Sequence, residues 1–299
     1  MEDMTATPST DTAGAAAART AYETLEPFHV FSYFNPRLKA AQTDTGLDPH
    51  AFYVGARGAP LASTSPHLVV ATFYNFRPDL VVGAWERSLA AGLDAVTARR
   101  DTMLDDSLAE ILGDRFSDDE LSGLADEYSA LGESLSFSGR PLAAAWRDAA
   151  VPDSPRVALW YRIAVLREWR GDNHIAALVI NGLDAIDAVV FHEAEHPDPT
   201  IRRRLLGRRL VQLTRGWSDE EWDASVARLV DRGLVETTDS GHALTDAGAR
   251  LHDEIEAATD AASAPAWSGD GVDDLLSRTR PVVKAIIDAG VLPGTRKKD

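Results

Sequence analysis

Apolar positions recur every three or four residues along most of the chain, the period of helices buried on one side. From Arg19 to Phe34 the residues Tyr22, Leu25, Phe28 and Phe31 step along one face, and Pro27 is expected to kink that helix. Asp79 to Leu112 continues the pattern through Val82, Trp85, Leu89, Val96, Met103, Leu104 and Leu108. Ser117 to Leu135 follows, and Ser117 with Glu120 forms a capping box at its start. Arg156 to Trp169 and Asn173 to Glu195 read as two more helices, broken at Gly171 and bent near Gly182. Ile201 to Thr214, Ser218 to Arg232, Asp246 to Ala262 and Asp270 to Ala289 complete the helical set.

Two stretches depart from that period. Residues 46–66 are rich in Gly and Pro and read as loop or short extended structure, with Phe52 to Val54 and Leu68 to Tyr74 as short strands or buried turns. After Gly233, the pair Leu234 and Val235, the polar turn Glu236 to Gly241, and Ala243 to Thr245 predict a small hairpin. The expected class is mainly α with one β-hairpin. A Pro-rich connector from Val151 to Pro155 sets a boundary, giving a tail over 1–18, a helical, aromatic-rich half over 19–150 and a second half over 151–299.

The run from Val226 to Val235, the hairpin, and Leu244-Thr-Asp-Ala-Gly248 resemble the recognition helix, wing and following helix of MarR-type winged-helix regulators. Longer stretches resemble a family of MarR-related actinobacterial proteins of about this length. They are Leu25-Glu-Pro-Phe-His29, Arg170-Gly-Asp-Asn-His174 with the residues after it, Arg215-Gly-Trp-Ser-Asp-Glu-Glu-Trp222, and Glu256-Ala-Ala-Thr-Asp260. The resemblance implies a winged helix and brings no established reaction. It is compatible with two winged-helix-like halves packed as a pseudo-dimer, which would make the chain a monomer; otherwise a homodimer is expected.

Charge then changes the picture. A net charge of -17 repels phosphate backbones and anionic membranes, so DNA could be held only by a locally basic patch. The recognition segment carries Asp219, Glu220, Glu221, Asp223 and Asp231 against Arg228 and Arg232, and the wing adds Glu236 and Asp239. The counterweight is Arg202, Arg203, Arg204, Arg208 and Arg209 just before it. There is no cysteine, which excludes disulfides and thiolate chemistry. With no signal-like start and no uninterrupted apolar span, a cytoplasmic protein without membrane contact is expected.

Three constellations could carry chemistry. His192-Glu-Ala-Glu-His196 matches H-E-x-x-H, which on a helix would present two imidazoles to zinc, although Pro197 follows at once and no third ligand is marked. Arg170-Gly-Asp172-Asn-His174 offers either a helix cap at Asp172 or a carboxylate orienting His174 as base or ligand. Ten of the 22 aromatic residues fall between Tyr22 and Phe76, interleaved with His29, Arg57 and His67. They read as core, or as a flat pocket for a planar ligand lined by His29, Tyr33, Arg57, His67, Phe73, Phe76, Arg170 and His174. His174, Asp172 and His29 are the catalytic candidates if there is turnover.

No nucleotide-binding or serine-hydrolase motif is present, and haem or a metal on histidine is left open. The leading expectation is therefore a MarR-derived binder of an aromatic or polycyclic small molecule, or an enzyme of secondary metabolism acting on one. The alternatives are a ligand-responsive regulator that binds DNA and a zinc-dependent hydrolase using the HEAEH motif.

Overall fold

The computed structural model describes residues 12–198, 205–239 and 241–295. Within them the chain runs α1 (Thr12–Val30), α2 (Leu38–Thr45), α3 (Pro49–Gly58), α4 (Pro66–Thr72), α5 (Pro78–Ala91), α6 (Leu93–Leu112) and α7 (Asp118–Glu133). It continues through α8 (Pro141–Asp148), α9 (Pro155–Ile180), α10 (Ala185–Glu193), α11 (Arg208–Arg215) and α12 (Asp219–Asp231). The strands β1 (Val235–Thr238) and β2 (Gly241–Leu244), then α13 (Asp246–Ser263) and α14 (Val272–Asp288), complete it. The protein is mainly α, with one antiparallel hairpin in register from Val235 opposite Leu244 to Thr238 opposite Gly241.

Local signals account for most helix starts. Ser117 accepts from the Glu120 amide while the Glu120 carboxylate takes the Ser117 amide, and Ser218 and Glu221 repeat the arrangement at α12. Proline opens α3, α4, α5, α8 and α9, where its missing N–H would be unpaired anyway. That corrects the reading of residues 46–66 and of Leu68 to Tyr74: α3 and α4 lie within them, joined by a short turn and loop over 59–65. Asp48 caps α3 by accepting from His50 and Ala51, and Gly55 sits where a Cβ would stand 2.6 Å from Ser88 Oγ. Helix α1 also begins earlier than expected, at Thr12 inside the supposed tail.

The largest correction is α9. It runs 26 residues without a break at Gly171, about 39 Å of continuous spine. At Gly171 a Cβ would stand 2.9 Å from Nη1 of Arg167, the side chain that pairs with Glu26. The first two thirds of α9 pack Trp160, Ile163, Leu166 and Trp169 into a core shared with α1, α6, α7, α8 and α14. Its last turns put Ala177 and Leu178 into a second core with α10, α11, α12, the hairpin and α13. A third core, centred on Phe52, Phe73, Trp85 and Met103, joins α3 to α6. Each large apolar side chain so buried contributes about 1.5–3 kcal/mol.

Packing therefore crosses residue 150, where a boundary was expected. Residues 19–150 are helical throughout their regular elements, so a second wing is not formed there and any likeness between halves is confined to helices. Among the described residues no single helix is long and apolar enough to cross a membrane. The α9 and α10 pair passes by composition but meets at 99°.

Candidate functional site

The site is best built outward from α9. His29, on α1, stacks on Trp160 with ring centroids 5.6 Å apart and planes at 7°, and its Nε2 lies 3.2 Å from the Tyr33 hydroxyl. Tyr33 meets Tyr53 of α3 edge-on at 4.9 Å, Tyr53 stacks on Phe76 at 5.4 Å, and Phe73 touches both Tyr53 and Phe76. The Arg215 guanidinium, at the end of α11, covers Phe76 at 4.2 Å. One ladder of rings thus runs from the helical body to α11. It unites five of the expected ligand residues: His29, Tyr33, Arg57, Phe73 and Phe76.

Arg57 enters this ladder from α3 with its guanidinium 4.9 Å over the Phe73 ring. It forks onto Glu168 of α9, Nε to Oε1 at 2.8 Å and Nη2 to Oε2 at 2.7 Å. Arg167, the next residue on α9, forks in the same way onto Glu26 of α1. Burial pushes the Glu168 carboxyl up, but Arg57 and Arg167 outweigh it and hold its pKa at about 2. Burial, with Arg167 adding to it, lowers His29 to about 4, so its imidazole is neutral at pH 7. Sequence reasoning missed Glu26, Tyr53, Arg167, Glu168 and Arg215. The available signal was Arg167-Glu168 itself, adjacent opposite charges set between Leu166 and Trp169 that must find partners when buried.

Several of these charged groups are partly accessible yet strongly influenced by burial. Glu26 and Arg167 keep 23% and 27% of their side-chain surface accessible, and Arg57 keeps 12%. Even so, burial is the largest influence on the ionisation of all three, and of Tyr33 and Arg215 as well. The ladder lies where the helical body meets the α11–α12 unit. The two are pinned by Trp217 Nε1 donating to Asn75 O at 3.0 Å and by the Arg77 amide donating to Arg215 O at 2.9 Å.

Arg170 and His174 form a neighbouring cluster instead. Arg170 donates to Asp260 at 2.8 Å and covers the Tyr22 ring at 4.1 Å, while Arg19 binds both Glu256 and Asp260. His174 Nδ1 meets Thr259 Oγ1 at 3.0 Å and is lowered to about 4 by burial. Asp172 does not orient it, and with α9 unbroken it cannot cap a new helix there. Its Oδ2 instead accepts the Ala143 amide at 3.0 Å, capping α8 across the fold, and burial raises it to about 6. Asn173 bridges Arg140 to the end of α13. His67 is exposed at the first turn of α4 and takes no part in the ladder.

The zinc motif loses its premise. Helix α10 ends at Glu193, and Glu195 pairs with the hairpin, its amide donating to His242 O at 3.1 Å and its carbonyl accepting from Leu244 at 2.8 Å. His192 and His196 therefore do not share a helical face. No three His, Asp or Glu side chains converge in the manner of a metal site among the described residues.

Helices α11 and α12 are joined by Gly216, Trp217 and Ser218, with Gly216 in the left-handed region at φ +82° and packed on Leu80. The outward face of α12 exposes Asp219, Glu220, Asp223, Ala227, Val230 and Asp231. The arginines on and beside α12 are engaged: Arg228 binds Asp187, Arg232 donates to the carbonyls of Asn181 and Gly182, and Arg208 of α11 binds Asp219 and Asp223. Arg209 is exposed, and Arg202, Arg203 and Arg204 lie outside the described residues.

Two helices joined by a glycine turn, followed by a hairpin and a long helix, define a helix-turn-helix protein with a wing. The chain matches the helix-turn-helix family over residues 18–293 and belongs to it. No curated protein and no solved structure matches it.

Proposed function

We propose that this helix-turn-helix protein is a cytoplasmic small-molecule binder of MarR-type layout, whose α11–α12 unit walls a ligand recess and does not read DNA. The carrying observation is the ring ladder from Trp160 to Arg215, which runs beside solvent-accessible yet desolvated ion pairs. Flat rings with few fixed polar groups suit a planar aromatic or polycyclic ligand. Turnover on that ligand, with His29 next to Tyr33 as the acid–base pair, is an extension of the same reading. The test is native mass and absorbance of untagged protein purified without additives. A bound mass or chromophore lost in Tyr53→Ala supports the reading; a bare chain that takes up no planar compound contradicts it.

The second reading is a ligand-responsive DNA-binding regulator, favoured by family membership and by exposed Arg209. Against it stands the acidic outward face of α12, which would meet phosphates and base edges.

A further inference from the structure

Helix α11 points most of its large apolar side chains outward. Val211 alone of its residues is buried, in the core shared with α10 and α12. Leu210 and Leu213 are 45% and 69% exposed, and Leu206, just ahead of the helix, is 46% exposed. These three leucines line one shallow depression together with Arg208 and Arg209. On α12, Val226, Ala227 and Val230 line a second depression, edged by Asp223 and Asp231. Large apolar side chains left hydrated in a contiguous patch mark a surface that another molecule covers.

The two depressions are parts of one surface. Arg208 lines the first and Asp223 the second, and the two side chains meet as an ion pair at 2.6 Å. The charges left over are opposite in sign: Arg209 stands exposed beside the leucines of α11, a helix without a carboxylate, and Asp231 stands exposed beside Val230. One surface thus carries both halves of a complementary pair, an apolar stripe edged by arginine and another edged by aspartate. A second copy of the chain matches it about a two-fold axis, with α11 of each copy on α12 of the other. Like on like is disfavoured by charge, since α12 on α12 sets aspartates against aspartates and α11 on α11 sets Arg209 against itself. Size points the same way. Eight helical residues span about 12 Å, too little alone for the roughly 800 Å² per partner of a stable interface, and the exchange joins two such contacts. The net charge of -17 on each copy is screened beyond about 8 Å at physiological salt, so complementarity at the seam decides.

We propose that the outward surface of α11 and α12 is the interface of a homodimer. Leu210 and Leu213 of one copy lie against Val226 and Val230 of the other, and Arg209 faces Asp231 across the seam, each contact occurring twice. Such a dimer covers the outward face of α12, the face with which a helix-turn-helix unit would enter a DNA groove.

The test is sedimentation velocity of the full chain over about 1–100 μM, where a reversible dimer is expected. Leu213→Glu should weaken it by about thirtyfold or more, the size of one buried hot-spot side chain, with the far-ultraviolet circular dichroism unchanged because Leu213 is mostly solvated in the single chain. Leu68→Glu, at an exposed leucine of α4, should leave the dimer within about twofold. Arg209→Glu should weaken it by about tenfold, and adding Asp231→Arg to the same chain should restore most of that loss, because each copy supplies both members of the pair. A chain that stays monomeric at about 100 μM overturns the proposal and leaves the surface to an unlike partner. A dimer that Leu213→Glu leaves intact has its interface elsewhere and overturns it equally. Weakening by Arg209→Glu without rescue by Asp231→Arg overturns the exchanged pairing of α11 with α12.

Discussion

Arg57 and Glu168 meet as a two-pronged ion pair that ties α3 to the α9 spine, 111 positions apart in sequence. Glu168 is 1% exposed, so the pair is stable only while both members are present. Glu168→Gln leaves Arg57 with a charge that nothing balances, while Arg167 keeps its pair with Glu26. A loss of about 3–5 kcal/mol is expected in urea unfolding. A loss below about 1 kcal/mol would mean that solvent screens the pair.

Acid should act on this site before it acts on the carboxylates. His29 has its pKa lowered to about 4 by burial, against an ordinary value of 6.5. The unfolded chain takes up the proton first, so the stability held above pH 6.5 is lost as pH falls toward 4. At about 1.4 kcal/mol per pKa unit this reaches about 3 kcal/mol for His29, with His174 adding in the same direction. Glu168 and Glu256, both held at about 2, give a second decline between pH 4.5 and 2. In unfolding free energies measured across pH 4–7, His29→Gln should flatten the upper decline; an unchanged slope would show that His29 is not buried neutral.

Gly248 closes the Leu244-Thr-Asp-Ala-Gly motif for a steric reason. A Cβ there would stand 1.9 Å from the Leu234 carbonyl oxygen, at the point where α13 crosses the base of the wing. Gly248→Ala gains helix propensity but forces backbone apart, so a net loss of about 2 kcal/mol or more is expected by thermal unfolding. A stabilised variant would show that α13 is not seated against the wing.

What could be read in the sequence was what local chemistry determines. Ser117 with Glu120, Ser218 with Glu221, and Gly233 before the hairpin each fix a boundary through partners a few residues away. His29, Tyr33, Arg57, Phe73 and Phe76 could be nominated because aromatic and polar residues are interleaved there. Their partners could not, because Glu168, Arg167, Tyr53 and Arg215 come to them across the tertiary fold. The same cause misplaced Gly171 and residues 46–66. A glycine inside a helix and a proline that opens one look, in sequence alone, like breaks.

The central claim is that the α11–α12 unit serves as the wall of a ligand recess and not as a reader of DNA. Fluorescence anisotropy on duplexes from upstream of its own reading frame, over about 50–200 mM salt, tests it most directly. The account predicts only weak binding, no tighter than about 10⁻⁶ M and equal for a scrambled duplex. Saturable binding about a thousandfold tighter than to the scrambled sequence would contradict it and make the protein a DNA-binding regulator.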